Sequence, residues 1–197
     1  MKVLKREFFL QDTLTCLKES IGKLLIRRLE NKFLIGRIVE AEAYLQNDKA
    51  CHAYRFGKTK RTQAMYGIGG IAYIFSVHTH NQFCFVTQDI EIPEAILIRA
   101  LEPIEGIEIM QKNREIENVY KLCNGPGNLC KSLQIDKSLY GTDLTNSNSE
   151  LFMAEDEFKI KEEDLVFTNR VGINYAEEDK NKPWRVYIKG SKFISRK

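Results

Sequence analysis

The chain has 197 residues, 43% hydrophobic and 29% charged, with a formal net charge of +3, a balance that suits a folded body with one substantial core. No apolar run approaches the roughly 20 residues that cross a bilayer, and the opening MKVLKREFFLQDTL lacks a sustained apolar stretch with a cleavage site, so neither a membrane span nor a secretory signal is expected. Five scattered cysteines, an odd number, argue against a disulfide framework and for a reducing, intracellular compartment, while the mild positive charge allows a polyanionic partner without demanding one.

In chain order, Asp12 or Thr13 caps a helix of about ten residues, with apolar positions at Leu14, Leu17 and Ile21 and Gly22 as its stop. LLIRRL (24–29) and FLIGRIVEAEAYL (33–45), separated by Glu30-Asn31-Lys32, read as a hairpin with a long second strand. Alternation along that strand puts Glu40, Glu42 and Tyr44 on one face. IAYIFSVH (71–78), QFCFVT (82–87) and AILIRAL (95–101) read as three further strands, paired antiparallel. After Pro103, the spacing of Ile104, Ile107 and Met110 predicts a helix, and GPGNLCKSLQI (125–135) a second, with Pro126 near its start. LVFTNRV (165–171) and WRVYIKG (184–190) return to strand, and all four prolines are read as element boundaries. With no repeat and no linker, the expectation is one mixed domain over residues 1–197, α+β in class because strands and helices do not alternate regularly.

The unusual local feature is VEAEAY (39–44), two carboxylates two residues apart in a strand that otherwise reads as half buried. Taken alone, Glu40 and Glu42 belong on a solvated face, since Glu is mostly exposed; the sharper reading makes one of them a general base. Arg99, flanked by Leu97 and Leu101 on its expected face, either snorkels outward or is held inside by a carboxylate such as Glu42. Tyr44, His52, Tyr54, Tyr73, Phe75, His78 and His80 gather in the same third of the chain, and flat side chains around a carboxylate suit a planar base, although Tyr73 and Phe75 also read as core. Lys60 and Arg61, in the basic loop KTKRTQ (58–63), are either solvated or in contact with phosphates. Cys51, His52, His78 and His80 raise a zinc site, but their spacing matches no standard zinc pattern. Phosphate-binding, dinucleotide and nucleophile-elbow motifs are missing from the sequence, which leaves a tunable carboxylate as the chemical lead.

Four strings in order, GRIVEAEAYLQNDKACH (36–52), LIRALEPIEG (97–106), NGPGNLCKSLQIDKS (124–138) and RVGINY…KPWRVYIKGS (170–191), resemble the alkyladenine, or 3-methyladenine, DNA glycosylase family. The resemblance runs from about residue 8 to the end of the sequence. It implies a single domain built on a curved antiparallel β-sheet flanked by helices, a cofactor-free and metal-free hydrolase of base excision repair that flips alkylated purines out of duplex DNA and cuts the glycosidic bond. The implied substrates are 3-methyladenine and 7-methylguanine, with hypoxanthine and ethenoadenine in some members. Carried over residue by residue, Glu42 becomes the base that activates water, Arg99 its companion, and Val171 the source of a backbone carbonyl for that water. Tyr44, His52 and Phe75 become the base pocket. An arginine beside Glu42 is expected to depress its pKa and keep it ionised.

Two departures stand out. Phe75 replaces a tyrosine of the family, and in SVHTHNQFCFVT (76–87) His78 stands where the family places the tyrosine wedged into the duplex, with no pocket-lining asparagine after it. That segment motivates an alternative, a catalytically impaired lesion-binding protein, and the Cys/His cluster motivates a zinc hydrolase. The resemblance further implies a monomer acting on double-stranded DNA, with no membrane association, in the cytoplasm or on the nucleoid, or in the nucleus of a eukaryote.

Overall fold

The computed structural model describes residues 1–196. In chain order they form β1 (Lys2–Val3), α1 (Arg6–Phe9), α2 (Thr13–Ser20), β2 (Leu24–Leu29), β3 (Lys32–Tyr44), α3 (His52–Phe56), β4 (Ala72–Val77), β5 (His80–Thr87), β6 (Glu94–Glu105), α4 (Ile107–Arg114), α5 (Pro126–Ser132), β7 (Leu151–Glu155), β8 (Leu165–Thr168) and β9 (Arg185–Ile188). The strands join in one open, wholly antiparallel sheet in the order β1-β7-β2-β3-β6-β5-β4, with β9 pairing β3 and β8 pairing β9. Helices on an antiparallel sheet make the class α+β, as the sequence predicts.

Local chemistry explains most element ends. Asp12 caps α2, its carboxylate accepting from the backbone N–H groups of Leu14 and Thr15 at 3.1 and 3.0 Å. The β2–β3 hairpin turns on Glu30 and Asn31, and Pro126 occupies the first turn of α5, where its missing N–H costs nothing. β1, α1 and α3 are too short for a periodic signal to reveal them.

Strand β3 organises the sheet because it serves two partners along one edge. Its first half pairs with β2, and Glu40–Glu42 pair with Tyr187–Arg185 of β9, while β6 follows almost the whole of its other edge. The β3–β6 register shifts three times, at Ile35/Gly36, Ile38/Glu40 and Glu40/Ala41. Bulges of this kind bend a strand and re-aim its side chains. They correct two expectations. Leu101 does not share a face with Arg99 and Leu97; it packs with Ile96 and Ile98 in the main core, because the shift at Glu40 breaks simple alternation. Pro103 is not a boundary either: β6 runs through it to Glu105, pairing it with Gly36 at a register shift, where a strand tolerates a residue without an N–H. Ile104 therefore belongs to a strand and is exposed, and the predicted helix begins only at Ile107.

Apolar clusters cover both faces of the sheet. On one face α2, α4 and α5 cover the main core, which includes Phe9, Leu17, Ile38, Phe83, Phe85, Ile96 and Leu129. On the other, Tyr73, Phe75, Cys84, Val86, Ala95 and Leu97 form a second cluster beneath α3 and the loop that follows it. All five cysteines are free and buried.

Gly106 hands β6 over to α4 in the left-handed region (φ +76°), and a Cβ there would lie 2.7 Å from the Phe33 carbonyl oxygen. Gly106→Ala is therefore expected to cost about 1–3 kcal/mol, measured as a fall in the denaturant midpoint with an unchanged m-value.

Candidate active site

Antiparallel pairing sets directly opposed residues side by side on the same face. Glu42 lies opposite Leu97, Leu97 opposite Cys84, and Cys84 opposite Tyr73, so one row of side chains crosses four strands. Two residues along β3, Tyr44 lies opposite Ala95; two residues the other way, Phe75 lies opposite Gln82. Above this patch is a cavity of about 320 Å³, within the size range of small-molecule pockets. Tyr44, His52, Tyr73, Phe75, Arg99 and Val171 line it, and Gln82, Cys84, Ile173 and Tyr175 join them.

Glu40 and Glu42 are both completely buried, which overturns the solvated-face reading. Burying two carboxylates costs several kcal/mol each unless cations and donors meet them, and both are met. Arg99 reaches Glu40 Oε1 through Nε at 3.0 Å and Glu42 Oε2 through Nη1 at 3.3 Å; Arg185 Nε lies 2.9 Å from Glu40 Oε1. The Tyr44 hydroxyl donates to Glu42 Oε2 at 2.9 Å, and the Val171 backbone N–H donates to Glu42 Oε1 at 2.7 Å. Arg99 is held inside rather than snorkelling outward, and the pairing of Glu42 with Arg99 is present.

The expected depression of the Glu42 pKa is reversed. Burial raises it above the ordinary value of 4.5, and the opposing pull of Arg99, Val171 N–H and Tyr44 does not fully offset that. Desolvation penalises the charged form of a carboxylate, and here it outweighs the pairing. The Tyr44 phenol is likewise pushed up, by burial and by the neighbouring Glu42 charge, so it stays a neutral donor.

Val171 is placed by its neighbour. Arg170 has a fully buried side chain whose guanidinium grips both carboxylate oxygens of Asp48, and it donates to the carbonyls of Ala43 at 2.9 Å and Asp179 at 3.2 Å. The guanidinium also lies over the rings of Tyr44 and Trp184, at 4.8 and 5.1 Å. The loop that carries Val171 is thereby pinned beneath the end of β3.

His52, at the start of α3, packs edge-on against Phe75 with ring centroids 4.6 Å apart, and its Nδ1 is 2.8 Å from the Tyr73 hydroxyl. Burial and the nearby charges of Arg61 and Arg55 lower its pKa to about 4, so the imidazole is neutral at physiological pH. Phe75 stacks on Tyr73 with centroids 5.3 Å apart, so these two rings are at once core and cavity wall. The mouth is basic and aromatic: the Arg55 guanidinium lies 4.4 Å from the Tyr175 ring, and that of Arg61 lies 5.6 Å from Phe75 and 5.8 Å from Phe56.

Lys60 and Arg61 are exposed on the loop beside this mouth. His78 is not in a strand. It and Thr79 form the two-residue turn of the β4–β5 hairpin, both with left-handed backbone (φ 45° and 73°) and both exposed. The preceding Val77 lines the cavity, so the tip projects from its edge. Among the described residues, no three of His, Cys, Asp and Glu are gathered as a metal-holding group, and the Cys51, His52, His78 and His80 set is not brought together.

The sequence reading missed Glu40 as a partner of Arg99, the Asp48–Arg170 pair, and Gln82 and Cys84 in the cavity wall. Counting by twos back from Arg99 and across to the facing strand would have found the last two.

A family model for methylpurine-DNA glycosylase matches residues 7–192. The chain belongs to the methylpurine-DNA glycosylase family. Relatives provisionally named 3-methyladenine DNA glycosylase are 42% identical in Clostridium novyi, over the full length of both chains, and 43% in Desulfitobacterium hafniense, over 99% of each. A third, from Carboxydothermus hydrogenoformans, is 44% identical over 99% of this chain and the whole of its own. Membership makes this a protein of the DNA glycosylase class of DNA-repair hydrolases, with DNA as the family's substrate. Among the described residues, no helix is long and apolar enough to cross a membrane.

Removing one partner of a fully buried ion pair strands the other charge. Asp48→Ala is therefore expected to cost about 3–5 kcal/mol, read as a lowered melting temperature; an unchanged one would show that Arg170 is not the anchor of the 170–173 loop.

Proposed function

We propose that the chain, as one glycosylase domain over residues 1–197, flips alkylated purines such as 3-methyladenine and 7-methylguanine out of duplex DNA. Water activated by Glu42 then hydrolyses the glycosidic bond. The observation that carries this reading is the buried Glu42 carboxylate, held by Arg99, Tyr44 and the Val171 N–H directly behind the wall of an aromatic-lined cavity.

Each carboxylate oxygen accepts about two hydrogen bonds. Oε2 is filled by Tyr44 and Arg99, whereas Oε1 carries only the Val171 N–H and keeps one position for a water proton. A raised pKa makes the ionised carboxylate a stronger base than a free glutamate. The water oxygen bonds to C1′ of the sugar as the bond to the purine breaks; the electron pair leaves with the base, and the water's proton passes to Glu42 Oε1. A purine alkylated at N3 or N7 is cationic and departs readily, so positioning and electrostatics supply the catalysis. No cofactor is called for. Arg99 orients the carboxylate, and the Val171 carbonyl completes the shell of the water.

Tyr44, His52 and Phe75 receive the flipped base, whose stacking offsets the few kcal/mol spent on extrusion. A neutral imidazole suits a cationic purine, because it adds no like charge. His78, at the hairpin tip, fills the gap left in the duplex; Lys60 and Arg61 contact phosphates. The protein acts as a monomer, inside the cell, on double-stranded DNA.

Glu42→Gln is expected to lower single-turnover release of 7-methylguanine by a hundredfold or more, within the range of about 10²–10⁴ for a general base. Release at the parental rate would overturn the mechanism, and tight lesion binding without excision by the parent protein would favour the impaired binder. Since Glu42 must be ionised, activity should rise with pH through its pKa, with an acid limb above 4.5. The same shift means that the stability contributed by neutral Glu42 is present at low pH and lost as pH rises through the raised value. Comparing the melting temperatures of Glu42→Gln and the parent at pH 8, alongside the rates, separates lost chemistry from lost fold. Replacing Lys60 or Arg61 with alanine should weaken binding to all sequences alike and reduce the salt slope by about one each.

A further inference from the structure

The segment after β9 returns to the buried carboxylates. Ser195 donates its backbone N–H to Glu40 Oε2 at 2.5 Å and its hydroxyl to Glu40 Oε1 at 2.9 Å. The same hydroxyl oxygen accepts from Arg99 Nε at 3.2 Å and Nη2 at 3.1 Å. One O–H donated and two bonds accepted is the full capacity of a serine hydroxyl. The segment is anchored on both sides: the Arg196 carbonyl accepts from Arg185 Nη2, and the Phe193 ring packs 5.1 Å from that of Tyr120.

We infer that Ser195 is a positioning residue for the hydrolytic step, a clamp that holds Arg99 between Glu40 and Glu42 and so fixes the base that activates water. This rests on the assignment of Glu42 as that base. Arg99 is shared between two carboxylates, and whichever one is less satisfied draws it. Ser195 satisfies Glu40 from the far side and gives the Nε edge of Arg99 an acceptor, leaving Nη1 turned to Glu42 Oε2. The neighbours facing Glu42 are Glu40 and Tyr44 on its own strand, Arg99 on β6, Cys84 on β5, Arg170 on the following loop and Arg185 on β9. Of the cations, Arg99 alone bonds Glu42, so its withdrawal toward Glu40 removes the principal opposition to the burial that already pushes Glu42 upward.

The test compares Ser195→Ala, Ser195→Thr, Glu42→Gln and the parent protein by single-turnover release of 7-methylguanine across pH, with duplex affinity and melting temperature measured alongside. Ser195→Ala is expected to lower the rate constant at saturating enzyme about tenfold, to leave duplex affinity unchanged and to move the acid limb to higher pH. Ser195→Thr, which keeps the N–H and a hydroxyl, restores both. A parental rate and acid limb in Ser195→Ala overturn the inference; so does a loss that follows only affinity or melting temperature while the limb stays put. Full activity in Glu42→Gln would instead overturn the mechanism on which the inference rests.

Discussion

The constraint on which the rest depends is the burial of two carboxylates on one strand. Glu40 and Glu42 have no solvent contact, and an uncompensated charge there would cost several kcal/mol, a large share of a domain's margin of stability. Arg99 and Arg185 are the answering charges, and every element that meets β3 near its far end contributes to the compensation: β6 brings Arg99, β9 brings Arg185, the loop before β9 brings the Val171 N–H, and the chain beyond β9 brings Ser195. Two acids and two bases make a cluster without net charge. Among the described residues two of its carboxylate oxygens accept a single hydrogen bond, Glu40 Oε2 from the Ser195 N–H and Glu42 Oε1 from the Val171 N–H, and Val171 lines the cavity.

The compensation is uneven. Glu40 is surrounded by Arg99, Arg185 and two donors from Ser195, whereas Glu42 shares Arg99 and relies otherwise on a phenol and one backbone N–H. Glu42 is consequently the less well stabilised anion, with its affinity for protons raised by burial. Similar carboxylates two residues apart thus acquire different electrostatic surroundings from the fold alone. The sheet adds the second requirement, a dry and rigid wall: the row from Glu42 through Leu97 and Cys84 to Tyr73 is fixed by backbone pairing on four strands, and its opposite face is locked against helices.

The reading of the pocket also changes with the geometry. Phe75 carries no hydroxyl, and the hydroxyl of its neighbour Tyr73 lies against Nδ1 of His52. The imidazole is therefore oriented from behind, while Phe75 supplies only a flat face. At the hairpin tip, two residues with side chains occupy left-handed backbone that glycine or asparagine adopts at less cost. His78 is thus presented on a strained, exposed turn rather than along a strand.

By itself the sequence determined the α+β class, the central hairpin, the α2 cap and the α5 start, because caps, turns and alternation are local signals, while it left Arg99 open between snorkelling outward and pairing with Glu42. Tertiary structure decided what local signals cannot carry. Bulges between β3 and β6 moved Leu101 to the opposite face and carried a strand through Pro103, since register belongs to a pair of strands and not to one. The direction of the Glu42 shift depended on how completely the fold excludes water and on neighbours as distant in sequence as Val171, 129 residues away. A glutamate in a strand announces a possible base; its burial and the charges packed around it are set by the whole fold.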